Sequence, residues 1–277
     1  MTEFSFNQAT AKYWPVPEML AGCAAAGVRA VGLWREEVAG YGLARTAAAV
    51  RAAGLRVSTL CRGGFFAAPG WYDENRRAID EAATLGAPVL VLVCGGLAEG
   101  SRDIDGARAH VRDAIGELVP HAAGAGVRLA IEPLHPMYAA DRCVISTLAQ
   151  ALDIAERYPV ATVGVAVDTY HLWWDDQVYA QIARAGTRIA TFQLADWVTP
   201  LPAGVLTGRG IPGTGCVELR RLAEAVLATG YADPVEVEVF NDEVWSWPGP
   251  RALAAARDGY AACMPAIHLA QEAAGAP

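Results

Sequence analysis

Four oxygen-bearing side chains close four short apolar runs in the second half of the chain: Glu132 in LAIEPLH, Asp168 in VAVDTYH, Gln193 in ATFQLAD and Glu238 in VEVEVF. Their immediate neighbours are apolar, and an isolated charge in such surroundings is costly. Three carboxylates gathered in one place would also repel and raise one another's pKa, whereas a bound divalent cation holds them ionised. Taken singly, each residue reads as a helix cap or an arginine partner. Taken together, Glu132, Asp168, Gln193 and Glu238 point to one divalent metal ion. An all-oxygen set with an amide in place of an imidazole favours Mn²⁺, with Mg²⁺ or Co²⁺ as alternatives, over Zn²⁺.

Two further groups are placed near this set. His135 follows Glu132 by three residues in a loop with two prolines; it reads either as a solvated loop histidine or as a neutral imidazole able to act as a base. All eight tryptophans (14, 34, 71, 173, 174, 197, 245 and 247) fall at or after the ends of apolar runs, outside the alanine-rich stretches. Trp173, Trp174 and Trp197 are therefore candidates for a flat wall that stacks on sugar C–H faces or on an aromatic aglycone. The Trp173–Trp174 pair equally suits a contact with a partner subunit.

The elements that must position these groups repeat along the chain. Six times an alanine-rich helical stretch runs to a glycine and then into an apolar segment, at Gly27, Gly54, Gly86, Gly126, Gly186 and Gly230. A glycine just past the last helical turn is the usual left-handed C-cap. Adding EFSFNQ and the segment after Pro159 gives eight strands, near 3–7, 28–34, 55–61, 88–94, 127–132, 162–168, 188–195 and 234–240. Between them PEMLAGCAAAG, LARTAAAVRAAG, ENRRAIDEAATLG, residues 103–125 and LAQALDIAERY have helical periodicity, the last with Ser146 as N-cap. Eight such units in about 250 residues is the size of a single-domain α/β (β/α)8 TIM barrel, here spanning 1–277, whose strand C-termini collect the site. A doubly wound sheet is the alternative, but no nucleotide-binding glycine fingerprint accompanies it.

Composition narrows the functional classes. The chain is 53% hydrophobic, which excludes disorder, and its net charge of -8 argues against nucleic acid as a partner. The start MTEFSFNQAT has no basic, apolar leader pattern, and the longest apolar run, 89–94, is too short for a bilayer, so a cytoplasmic protein with no membrane partner is expected. Six cysteines without a C-x-x-C pair read as buried free thiols. Lys12 is the single lysine, which makes Schiff-base chemistry improbable.

The motifs E-P-x-x, D-T-Y-H, F-x-L-x-D-W, R-G-x-P-G-x-G and E-x-E resemble the xylose isomerase-like TIM barrels. That superfamily includes sugar-phosphate isomerases, ketose 3-epimerases, inosose dehydratases and the second family of apurinic endonucleases. The resemblance is close over strands five to eight and architectural before them. It implies that Glu132, Asp168 and Glu238 are metal ligands, and it puts Gln193 where most relatives have histidine. It further implies that Glu132 and Glu238 double as catalytic acid and base, that His171 hydrogen-bonds a substrate hydroxyl, and that Arg209 reaches the sugar. The expected activity is a divalent-metal-dependent isomerase or epimerase that abstracts a proton beside the carbonyl of a small sugar or keto-sugar, through an enediolate. The alternatives are a lyase that cleaves 3-oxo-glycosides by β-elimination with His135 as base, and a non-catalytic sugar-binding barrel. Relatives of this kind commonly pair, so a homo-oligomer or a partner subunit is a further expectation.

Overall fold

Short runs of Val, Leu and Ile with no polar face form parallel strands only when both of their sides are covered. In the computed structural model, which describes residues 2–202 and 204–264, they close into a ring. The eight strands are β1 (Phe4–Asn7), β2 (Ala30–Trp34), β3 (Arg56–Gly64), β4 (Val89–Val93), β5 (Arg128–Glu132), β6 (Val163–Asp168), β7 (Ile189–Leu194) and β8 (Val235–Val237). Each pairs in parallel with its neighbours in sequence, and β8 pairs with β1 through Ser5↔Glu236 to seal the (β/α)8 barrel.

The surrounding helices bury narrow stripes. In the helix Trp71–Leu85 the buried residues are Asn75, Ala78, Ile79, Ala82 and Leu85, spaced for one helical face. The alanines in that stripe have no side chain beyond Cβ, which lets the helix lie close to the strands. Gly86 and Gly126 end their helices in the left-handed region, at φ 69° and 68°, where a β-carbon would be strained.

Three local expectations are corrected. The helix Leu148–Ala155 is capped by Thr147, whose hydroxyl accepts the Gln150 N–H, not by Ser146, which lies one residue too early. Strand β3 runs on through Gly63 and Gly64, because its register slips between Cys61 and Gly63 and a Cβ on Gly64 would strike the Val93 carbonyl. The buried Asn75 amide then holds both the N–H and the C=O of Gly64. Five of the six free cysteines are buried, but Cys216 is exposed. No helix among the described residues is long and apolar enough to cross a membrane.

Candidate functional site

Side chains alternate across a strand, so Glu132 at the end of β5 and Asp168 at the end of β6 share the inward face with Ala130 and Ala166 two residues earlier. Glu238, just beyond β8, shares the inward face with Glu236 for the same reason. Ligand atoms of Glu132, Asp168 and His171 lie within 4.8 Å of one another. Glu132 and Glu238 both line a cavity of about 180 Å³ at this end of the barrel, together with Trp34, His171, Arg209 and Phe240.

Arg209 stands among these carboxylates. Its Nη1 donates to Asp168 Oδ2 at 2.8 Å and to Glu238 Oε2 at 2.9 Å. The loop that delivers it is built around Asp196, whose buried carboxylate accepts the N–H groups of Trp197, Gly213, Gly215 and Val217. Asp196–Trp197 then pairs antiparallel with Arg209–Gly210. The motifs F-x-L-x-D-W and R-G-x-P-G-x-G are thus two halves of one device that carries a guanidinium into the barrel end. Sequence reasoning gave Asp196 no part in this, although the motif itself contained it.

Burial dominates the protonation of the three carboxyls. It raises Glu132 well above the ordinary carboxylate range, reinforced by the charges of Asp168 and Glu238. Burial pushes Glu238 up to about 8 even though the Arg209 guanidinium opposes it. Asp168 is also raised by burial against the same guanidinium. With all three ionised, one arginine leaves two negative charges unmatched, which is the charge of a divalent cation.

The donor chemistry fits such an ion. His171 meets a donor at each ring nitrogen: Nδ1 faces the backbone N–H of His135 at 3.2 Å and Nε2 faces Arg209 Nη2 at 3.1 Å. Burial and the nearby Arg209 guanidinium hold its pKa well below the ordinary 6.5, so the ring is neutral. The ring is thus tied to Arg209, while oxygens of Glu132 and Asp168 lie within 4.8 Å of it and of each other. Gln193 lies beside Asp168 in register, and its Oε1 is buried without a hydrogen-bond partner among the described residues. Glu132, Asp168, Glu238 and Gln193 would hold the ion.

The other expected groups sit differently. The His135 ring accepts the Met137 N–H at Nδ1 and packs against Trp174 and Trp197, at 5.5 and 5.1 Å between centroids. Trp197 stacks on Tyr170 and contacts Trp173. His135, Trp173, Trp174 and Trp197 therefore form an aromatic cluster beside the cavity, whose wall carries Trp34 and Phe240 instead. The eight tryptophans do not make one wall: Trp14 fills the gap between Gly22 and Gly249, and Trp245 packs under the Lys12 ammonium at 4.6 Å.

Comparison with known proteins agrees with this architecture. A family model described as xylose isomerase-like TIM barrel matches residues 20–263. A Sinorhizobium meliloti protein of known crystal structure is 45% identical and superposes with a TM-score of 0.91, the match covering 95% of this chain and 98% of that one. The crystal structure of an IolI protein with a bound zinc atom superposes at 0.80 with 21% identity, over 95% of this chain and 98% of that one. Among curated relatives, a 3-dehydroshikimate dehydratase of Pseudomonas aeruginosa is 33% identical over 176 residues, 61% of this chain and 26% of that protein. An inosose isomerase of Bacillus subtilis is 28% identical over 149 residues, 52% of this chain and 51% of that protein. The chain thus matches about a quarter of the dehydratase and about half of the isomerase.

Proposed function

The chain belongs to the xylose isomerase-like TIM barrel family, and from that premise we propose that it is a divalent-metal-dependent isomerase or epimerase of a small keto-sugar or keto-polyol, working by proton abstraction beside the carbonyl. The single observation that carries the reading is the placement of two buried carboxyl groups, Glu132 and Glu238, on the wall of one small cavity. They come from β5 and the end of β8, three strands apart in the ring, and so approach a bound substrate from different sides.

Glu132 takes the proton from carbon, and Glu238 returns one from the other side to invert that centre, or to the neighbouring carbon to move the carbonyl. A divalent cation held by Glu132, Asp168, Glu238 and Gln193 supplies polarisation of the carbonyl when bound. His171 and Arg209 contact substrate oxygens and fix which C–H faces the base. Leu134, Tyr138 and Phe240 keep bulk water from the carbanion.

A second outcome of the same proton abstraction, loss of a group β to the carbonyl, is favoured by the dehydratase among the relatives. Cleavage of 3-oxo-glycosides with His135 as base lacks comparable support, because its Nδ1 is committed to the Met137 N–H and its ring is off the cavity wall.

The test is carbon-bound deuterium by NMR after Mn²⁺-supplied protein is incubated in D₂O with free ketoses, inososes and cyclic keto-acids. Exchange at the carbon next to the carbonyl, with or without net conversion, is expected for at least one of them. Absence of exchange across the panel, with metal shown to be bound, contradicts the proposal.

A further inference from the structure

Beneath the cavity lies a fourth carboxylate, the first glutamate of E-x-E, that the proposed reaction does not use. Glu236 is fully buried, and its partners are all donors. Ser58 Oγ and Thr59 Oγ1 donate to Oε1 at 2.6 and 2.8 Å, and Asn7 Nδ2 and Gln193 Nε2 donate to Oε2 at 2.9 and 3.2 Å. The orientation of Asn7 is independently fixed, since its Oδ1 accepts the Ala9 N–H and the Trp34 Nε1–H. Asn7 Nδ2, so oriented, can only donate, which makes Oε2 an acceptor.

The same acceptor atom meets Gln193, and this settles its amide. Turned round, Gln193 would set a carbonyl oxygen against carboxylate oxygen. As it stands, Nε2 faces Glu236 and Oε1 is turned away from it, in register beside Asp168, buried and with no donor to meet it. A buried carbonyl oxygen left without a partner is uncommon in proteins. We infer that Glu236 is a positioning residue that holds the Gln193 amide with its oxygen toward the metal position, making glutamine an oxygen ligand at a strand end. It plays the part that a carboxylate plays toward a metal-binding histidine, fixing which atom of the ligand faces the ion. This inference rests on the metal-binding reading of the site, and the experiment separates the two.

The experiment is Mn²⁺ and Zn²⁺ affinity of the full chain, read by free-Mn²⁺ electron paramagnetic resonance and by calorimetry, with melting temperature recorded for every variant. Gln193→Leu and Glu236→Met are each expected to weaken Mn²⁺ binding about 10- to 100-fold, and the double variant no further than either. Glu236→Gln is expected to stay within a few-fold of the unmodified chain. Its amide oxygen still accepts from Gln193, while the Ser58 and Thr59 hydroxyls rotate to accept from its NH₂. A general packing role for Glu236 predicts no such rescue. Gln193→His, tested with Glu236 intact and so informative even if Glu236→Met does not fold, is expected to retain binding and shift preference toward Zn²⁺, because the imidazole N–H takes over the contact to Glu236. Unchanged Mn²⁺ affinity in Gln193→Leu, with affinity lost in Glu132→Gln, overturns this inference and leaves the functional reading standing. No Mn²⁺ or Zn²⁺ binding by the unmodified chain overturns both.

Discussion

Glu132→Gln is expected to lower kcat/KM for the substrate found by exchange by about 10³-fold, the usual contribution of a positioned proton acceptor, and at the same time to raise the melting temperature of the metal-free protein at pH 7. The second effect separates the account from a simple loss of structure. Glu132 is buried and faces the charges of Asp168 and Glu238, so its folded-state pKa lies well above its ordinary 4.5. A carboxyl raised in this way contributes its stability in full below the unfolded pKa and loses it as pH rises through the folded value. Glu238, pushed up to about 8, follows the same sign. The stability of the metal-free native chain relative to Glu132→Gln should therefore decline as pH rises above about 4.5. Each kcal/mol of difference corresponds to about 2–4 °C, so melting curves at four or five pH values resolve it. A melting temperature that falls in Glu132→Gln at pH 7 would mean that this carboxylate is stabilised by partners and is not held at a cost.

Arg209→Met is expected to move stability in the opposite direction. The guanidinium is buried and joins Asp168 to Glu238. Methionine keeps much of the side-chain length and removes the only cation joining them among the described residues. Breaking a buried pair on one side costs about 3–5 kcal/mol, because the remaining charge is left unmatched. The metal-free variant should melt far below the native chain at pH 7. Mn²⁺ should recover most of that loss, giving a larger metal-induced shift than in the native protein, since the ion then replaces the missing charge. Turnover should stay low even with metal, because Arg209 also contacts substrate in the proposed reaction. A variant that melts like the native chain would show that Arg209 does not balance the carboxylates.

The parts of the fold that were readable in advance are those governed by local chemistry. The glycines at 86 and 126 announce helix ends because no other residue takes their backbone angles without strain, and the β-branched runs at 89–93 and 163–168 can only be covered strands. The shared inward placement of Glu132, Asp168 and Glu238 at one end of the barrel was readable because side chains alternate along each strand and all three follow apolar runs. Glu236 was equally present in VEVEVF, and the alternation of a strand places it on the same inward face as Glu238. What single-strand reasoning lacks is the identity of the neighbours: Asn7, Ser58, Thr59 and Gln193 come from three other strands and meet only when the barrel closes. The role of Arg209 was hidden for a similar reason, since it depends on a loop whose turn is organised by Asp196, 13 residues earlier in the chain. The tryptophans misled because a position after a strand end fixes the end of the barrel and not the direction in which an indole points.

A divalent ion shared by the carboxylates at the ends of β5, β6 and β8 is central to the proposed reaction. The measurement that addresses it most directly is an anomalous-scattering map from crystals of the native chain grown with Mn²⁺. It should show one strong peak about 2.1 Å from oxygens of Glu132 and Asp168, with Glu238 in contact and the Arg209 guanidinium displaced from between the two carboxylates. A map with no peak there, and Arg209 still donating to Asp168 and Glu238 at full Mn²⁺ occupancy elsewhere, would contradict it.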